Sequence, residues 1–81
     1  MEKIFIKNLK KKLAKKIKCD AKIYIINDDL YIELWKDNSP LYRTYVEHFY
    51  FSIHTGLTSD AVAHMVSKTF KKYLLNKYFS K

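Results

Sequence analysis

Residues 21–36 read AKIYIINDDLYIELWK, and this stretch decides the fold because two apolar runs flank three turn-forming residues. Asn and Asp favour turns, since their short side chains tolerate left-handed backbone geometry. β-Branched and aromatic residues dominate on both sides of the turn, as they do in paired strands. The pattern predicts a β-hairpin with strands at residues 21–26 and 30–36.

The register of this hairpin follows if Asp28 and Asp29 are the two central residues of the turn. Ile26 would then face Tyr31 across the strands. Alternation along each strand separates an aliphatic face, suited to a core, from a second face that carries polar and aromatic side chains. The aliphatic face holds Ile23, Ile25, Ile32 and Leu34, and the second face holds Lys22, Tyr24, Ile26, Tyr31, Glu33 and Trp35.

A lysine-rich helix is predicted before the hairpin, over residues 3–18. Its apolar residues recur at helical spacing on one narrow stripe, while lysines cover most of the remaining surface. Residues 1–22 hold nine lysines but only Glu2 and Asp20 as acids. Repulsion among the lysines destabilises such a helix, which indicates a compensating use for them. The stripe consists of Ile6, Leu9, Leu13 and Ile17.

A second long helix is predicted to begin after Thr58. The Thr58 hydroxyl can cap the helix, and Asp60 lies in the first turn, where the helix dipole favours an acid. Leu57 and Val62 stand at the positions of a hydrophobic staple. The predicted buried face holds Val62, Met65, Val66, Phe70, Tyr73 and Leu74, and the opposite side holds His64, Lys68, Lys71 and Lys72.

Residues 41–54 allow two interpretations. Over residues 47–54, aromatic and aliphatic residues alternate with polar ones, a period of two that predicts a third strand. Alternatively, Ser39 followed by Pro40 is typical of a helix start, and Gly56 is suited to a helix end. We favour the strand, because the segment contains few good helix formers.

We expect a single α+β domain over residues 1–81, since a chain of this length has material for one small core. The favoured order is α-β-β-β-α, in which two helices lie on one face of a three-stranded antiparallel sheet and a second turn occupies residues 37–40. The alternative order is α-β-β-α-α, with residues 40–54 helical. In that alternative, Gly56 would occupy the turn of a helix-turn-helix.

The order α-β-β-β-α resembles the double-stranded RNA-binding domain in its elements and length. That family contacts phosphates at the start of its second helix and through the loop between its first two strands. The matching places here are residues 58–60 and 27–29, which contribute Asp60, Asp28 and Asp29. Because these acids stand where phosphates would bind, the resemblance implies a fold and transfers no RNA-binding residue.

Binding of a nucleic acid is the function that the charge pattern favours. Lys7, Lys11 and Lys15 recur every four residues, a rise of about 6 Å that is similar to the spacing of phosphates along a strand. Arg43 is the single arginine among sixteen basic residues, so contacts to backbone phosphates are expected in preference to base reading. The candidate phosphate-binding residues are Lys3, Lys7, Lys10, Lys11, Lys15, Lys18, Lys68, Lys71 and Lys72.

The polar and aromatic face of the sheet is a second candidate surface. Tyr24, Tyr31 and Trp35 lie on it, with Tyr42 and Tyr45 predicted to adjoin them. Such side chains stack on unpaired bases or fill an interface, so this face is also the candidate contact of a homodimer.

Other function classes receive less support. No set of residues has the spacing of a catalytic or metal site, so we expect neither an enzyme nor a cofactor. One cysteine, Cys19, and the lack of a long apolar run predict a cytoplasmic protein without a membrane span. The alternative function is that of a phage or mobile-element modulator, which would inhibit a nucleic-acid enzyme by protein contact as anti-CRISPR proteins do.

Overall fold

The computed structural model describes residues 2–79. Helices and strands follow one another in the order α-β-β-β-α-α, which confirms the predicted α+β class and the three-stranded sheet. The elements are α1 Glu2–Ile17, β1 Asp20–Ile26, β2 Asp29–Lys36, β3 Ser39–Val46, α2 Phe49–His54 and α3 Ser59–Phe79.

The sheet is an antiparallel meander in the order β1-β2-β3, closed by two tight turns. The central residues of both turns have positive φ: 50° at Asn27, 68° at Asp28, 52° at Asp37 and 62° at Asn38. Two-residue turns of type I′ require positive φ at both positions, and their twist matches that of the flanking strands. Asn and Asp supply this geometry in a chain that has a single glycine.

The predicted register of the first hairpin was wrong. Ile26 pairs with Asp29, so the turn is centred on Asn27 and Asp28. Asp29 belongs to β2 instead, where its carboxylate accepts a hydrogen bond from the His48 backbone N–H at 3.2 Å. Each β1 residue therefore pairs with a β2 residue two positions earlier than predicted. A displacement of two positions leaves every side chain on its predicted face.

One core fills the space between the aliphatic face of the sheet and the helices. Leu30, Ile32 and Leu34 of β2 are fully buried, and Ile23 and Ile25 pack against the core. Each fully buried Leu or Ile side chain contributes roughly 1.5–3 kcal/mol. The helices contribute Leu9, Leu13, Phe49, Val62, Val66 and Phe70 to this core.

The third strand lies at Ser39–Val46, before the segment in which we predicted it. Pro40 has no backbone N–H to donate. It is tolerated in β3 because β3 is an edge strand, where an N–H that faces away from the sheet makes no hydrogen bond to a neighbouring strand. Pro40 pairs with Trp35 and Tyr42 with Leu34, so Leu41 is an extra residue at a bulge. The bulge and the proline disrupt regular pairing along this edge.

Residues 47–54 do not form the predicted strand, and the alternative of one helix over residues 40–54 is also wrong. The segment forms α2, which begins where the Phe49 N–H donates to the Asp28 carbonyl at 2.7 Å. The Asp28 carboxylate accepts the next free N–H, that of Tyr50, at 2.9 Å. Hydrogen-bond acceptors at a helix start stabilise the helix. Here the acceptors come from a turn about 20 residues earlier in the chain, so the local sequence pattern of residues 47–54 does not indicate them.

Candidate nucleic-acid interface

The predicted lysine surface lies on α1, on the side that faces away from the core. Leu9 and Leu13 are fully buried, and they attach the helix to the sheet and to α3. Because the helix is held along its apolar stripe, its lysines have a fixed arrangement. The exposed lysines are Lys3, Lys7, Lys10, Lys11 and Lys15 of α1, Lys18 directly after the helix, and Lys16, which was not among the predicted phosphate-binding residues. We call these seven residues the lysine surface.

Lys12 differs from the other lysines of α1 because it points to the start of α3. Its Nζ lies 2.7 Å from Oδ1 of Asp60, which is the only ion pair within residues 2–79. The contact with Lys12 lowers the pKa of the Asp60 carboxyl. Asp60 thus occupies the place of a phosphate contact in the resembling family, yet here it helps to join α1 to α3. No residue of the lysine surface forms an ion pair within the described residues, although the charge of Lys16 also helps to lower the pKa of the Asp60 carboxyl.

The start of α3 matches its prediction. The Ala61 N–H donates to the Thr58 hydroxyl at 3.1 Å, so Thr58 is the cap. Val62, Val66 and Phe70 are buried as expected, but Met65 and Tyr73 are more than one third exposed. Ala63 and Ser67 are buried in their place. Two small residues four positions apart on a helix allow a neighbouring element to approach closely. This spacing could have predicted that Ala63 and Ser67 are buried, but the prediction considered only the larger apolar residues.

Lys68, Lys71 and Lys72 are exposed on α3. Their helix packs beside α1 and on the same face of the sheet, since both helices contribute to one core. The two predicted groups of lysines therefore belong to the helical side of the molecule.

The opposite side of the sheet is lined by aromatic rings. Tyr24 stacks on Tyr31 with ring centroids 5.5 Å apart, and Tyr31 stacks on Tyr45 at 5.7 Å. One tyrosine from each strand thus forms a row across the sheet, which we call the tyrosine row. Tyr45 was predicted to adjoin this face, and it does. Tyr42 was predicted there too, but it faces the helices and contacts Phe70, with centroids 5.6 Å apart.

Glu33 connects the tyrosine row to the tryptophan. The Tyr24 hydroxyl donates to Glu33 Oε2 at 2.6 Å, and the Trp35 indole N–H donates to Oε1 at 3.1 Å. These two bonds lower the pKa of the Glu33 carboxyl, and the first of them raises the pKa of the Tyr24 hydroxyl. Lys22 Nζ lies 3.9 Å from the centroid of the Trp35 ring, a cation–π contact. Arg43, to which the sequence analysis assigned no site, lies on β3 directly opposite Glu33 of β2 in the sheet register.

The structure therefore separates most of the lysine candidates from the aromatic candidates. The lysine surface and the α3 lysines lie on the helical side, and Tyr24 and Tyr31 lie on the far side of the sheet. Trp35 is the exception, because it lines a groove together with Lys18. That groove contains equal numbers of acids and lysines, since Asp20 and Asp37 line it along with Lys18 and Lys36.

Comparisons with protein-family models, with curated proteins and with solved structures found no match to this chain. Within residues 2–79, no group of three or more histidine, cysteine or carboxylate side chains could hold a metal ion. No helix in the same range is long and apolar enough to cross a bilayer. The function is therefore inferred from the charges and contacts on the two sides of the molecule.

Proposed function

We propose that this protein binds nucleic acid, free or within a nucleoprotein, and that it does so without catalysis through phosphate contacts made by α1. The observation that carries the proposal is the lysine surface, in which six exposed lysines of α1 and Lys18 directly after it form no ion pair within the described residues. Mutual repulsion destabilises the helix, and an external polyanion removes that cost.

Each lysine that neutralises a phosphate releases condensed counterions, so affinity grows with the number of contacts and falls steeply as salt is added. A docked helix loses less freedom on binding than a disordered basic arm would, which favours affinity. Lys68, Lys71 and Lys72 are a second set of cations on the same side of the molecule.

Lysine ammonium groups lack the planar fork with which arginine recognises guanine. We therefore expect contacts to backbone phosphates and little dependence on base sequence. Asp28 and Asp29 accept hydrogen bonds from backbone N–H groups at the start of α2, so both carboxylates already have partners within the protein.

The test is fluorescence anisotropy with labelled DNA duplexes, single strands and RNA over a range of salt concentrations. Lys7→Gln combined with Lys11→Gln should reduce the slope of log affinity against log salt by about 2 on duplex DNA, because each phosphate contact contributes about 0.9. The matched control is Lys22→Gln combined with Arg43→Gln, which removes the same charge from the far side of the sheet.

The control variant should leave the slope within about 0.5 of the wild-type value. Equal losses in both variants would show attraction by net charge alone and would contradict a defined interface on α1. Absence of binding to all three nucleic acids at low salt would refute the proposal.

A second candidate function is contact with a protein, favoured by the sheet face that α1 and α3 leave uncovered. Tyr45 is 51% exposed at the end of the tyrosine row, and a modulator of a nucleic-acid enzyme or a homodimer would use such a surface. Affinity capture with and without nuclease separates the two functions. Partners that persist after nuclease treatment and are lost on Tyr45→Ser favour this candidate, whereas partners lost with the nucleic acid favour direct binding.

A further inference from the structure

The end of α3 extends past the core. Leu74 is the last residue of the helix that packs against the core, and residues 75–79 are all exposed. Leu75 is 57% exposed, Tyr78 69% and Phe79 80%. Lys71 and Leu74 lie beside these three residues on the same helix. Large apolar side chains held on a regular helix without a covering element are typical of an interaction surface.

The spacing of the exposed side chains matches a known mode of recognition. Leu75, Tyr78 and Phe79 stand at positions i, i+3 and i+4, so their side chains point to one side of the helix. Helices that insert into grooves use anchors with this spacing. Tyr and Phe are also effective anchors, because they bury much surface and have few side-chain torsions.

The charge around these anchors indicates what kind of partner they fit. The sequence from residue 61 to residue 81 contains no acid, and lysines stand at positions 68, 71, 72, 77 and 81. A second copy of this chain would bring lysines against lysines. An acidic surface would instead pair with Lys71 and Lys72 at the rim while its apolar floor received the anchors.

We propose that the end of α3 inserts into an apolar groove on an acidic protein partner. Leu75, Tyr78 and Phe79 are the anchors, and Lys71 and Lys72 pair with carboxylates at the rim of the groove. A lipid surface fits less well, since a helix that lies in a membrane interface buries its apolar face along its length. Val62, Val66 and Phe70 are buried in the protein's own core, so the final turns alone are available.

The probe is calcium-loaded calmodulin, an acidic protein whose open lobes present apolar, methionine-rich grooves to basic amphipathic helices. Calorimetric titration of the full chain should show binding that weakens with salt. Leu75→Ser combined with Phe79→Ser should weaken this binding by about tenfold or more, because two anchors are lost. Lys71→Gln combined with Lys72→Gln should weaken it by about threefold or more.

Two controls make the result specific. Phe51→Ser removes another aromatic ring, 68% exposed on α2, and should change the affinity by less than about twofold. Lys7→Gln combined with Lys11→Gln should also change the affinity by less than about twofold, which separates this site from the lysine surface. Circular dichroism melts should be unchanged in the Leu75 and Phe79 variant, since both side chains are exposed.

Any of three outcomes would overturn the proposal. The first is no binding to calmodulin, or binding that the Leu75 and Phe79 substitutions leave unchanged. The second is binding to phosphatidylglycerol vesicles, lost in the same variant, without binding to calmodulin, which would assign the helix end to a membrane. The third is a dimer in sedimentation runs that the variant abolishes, which would assign it to a second copy.

Discussion

The polar groups on the two sides of the sheet differ in whether they have partners within the chain. On the open face, Glu33 accepts hydrogen bonds from Tyr24 and Trp35, and Lys22 lies over the Trp35 ring. Polar groups there bind one another within the chain. On the helical side, Lys12 is paired with Asp60, and the lysine surface has no such partner within residues 2–79.

This difference indicates which of the two surfaces would be stabilised by a charged ligand. A surface whose polar groups are mutually satisfied gains little from a charged partner, because binding would first break existing contacts. A fixed array of cations gains from any polyanion that neutralises it. The comparison therefore favours α1 over the sheet as the site of phosphate binding. Three substitutions measure the contacts that hold α1, α2 and the open sheet face in place.

Leu13→Ala should have the largest effect, because it removes a fully buried side chain that attaches α1 to the core. We expect a loss of about 3 kcal/mol in the free energy of unfolding, measured by urea denaturation. If α1 detaches, its lysines lose their fixed arrangement, and the difference between α1 and the open sheet face is removed. The matched control is Leu75→Ala at an exposed position, with an expected change below about 0.5 kcal/mol.

Asp28→Gly should have an intermediate effect. Glycine keeps the positive φ of the turn but removes the carboxylate that accepts the Tyr50 N–H. Loss of a helix cap lowers the free energy of unfolding by about 1 kcal/mol. Glycine offsets part of this loss, because it adopts a positive φ without steric strain. Asn38→Gly gives the same relief at the second turn without touching a helix, and we expect it to stabilise by about 0.5 kcal/mol. Chemical denaturation of both variants isolates the contribution of the carboxylate, and equal effects would show that it has none.

Glu33→Gln should have the smallest effect, visible as a change in pH dependence. The pKa of Glu33 is lower in the folded protein than its ordinary value of 4.5. As the pH falls, the unfolded chain takes up the proton first, so the stabilising contribution is lost below that value. Urea midpoints at about pH 7 and about pH 3 should differ less in the variant than in the wild type. Glu47→Gln, whose carboxylate accepts a longer bond of 3.4 Å from Tyr45, is the control.

Local patterns predicted the two long helices and the faces of the first hairpin, because each depends on residues close in sequence. The third strand was misplaced for a physical reason. Residues 47–54 alternate like a strand, but Asp28 supplies both acceptors that start a helix there. With α2 formed, Phe49 is buried while Phe51 is 68% exposed. A contact between a turn and a distant segment leaves no periodicity in the sequence.

The candidate site was predictable to a similar extent. The lysines of α1 were identified because the apolar stripe and the charges share one short segment. Their separation from Tyr24 and Tyr31 depends on the tertiary arrangement, in which α1 and α3 cover one face of the sheet. Arg43 was missed because its place on the open face follows from the bulge in β3.

The position of α1 between β1 and α3 has a consequence for folding during synthesis. The two hairpins connect neighbouring strands and can form as soon as those strands have left the ribosome. An isolated helix of 16 residues is marginal in water, and lysine repulsion weakens this one further. Its support from α3 arrives only when that helix has been made. Although α1 is translated before the sheet, it is therefore organised only after α3, so a nascent chain lacks the ordered array of cations until α3 has been made.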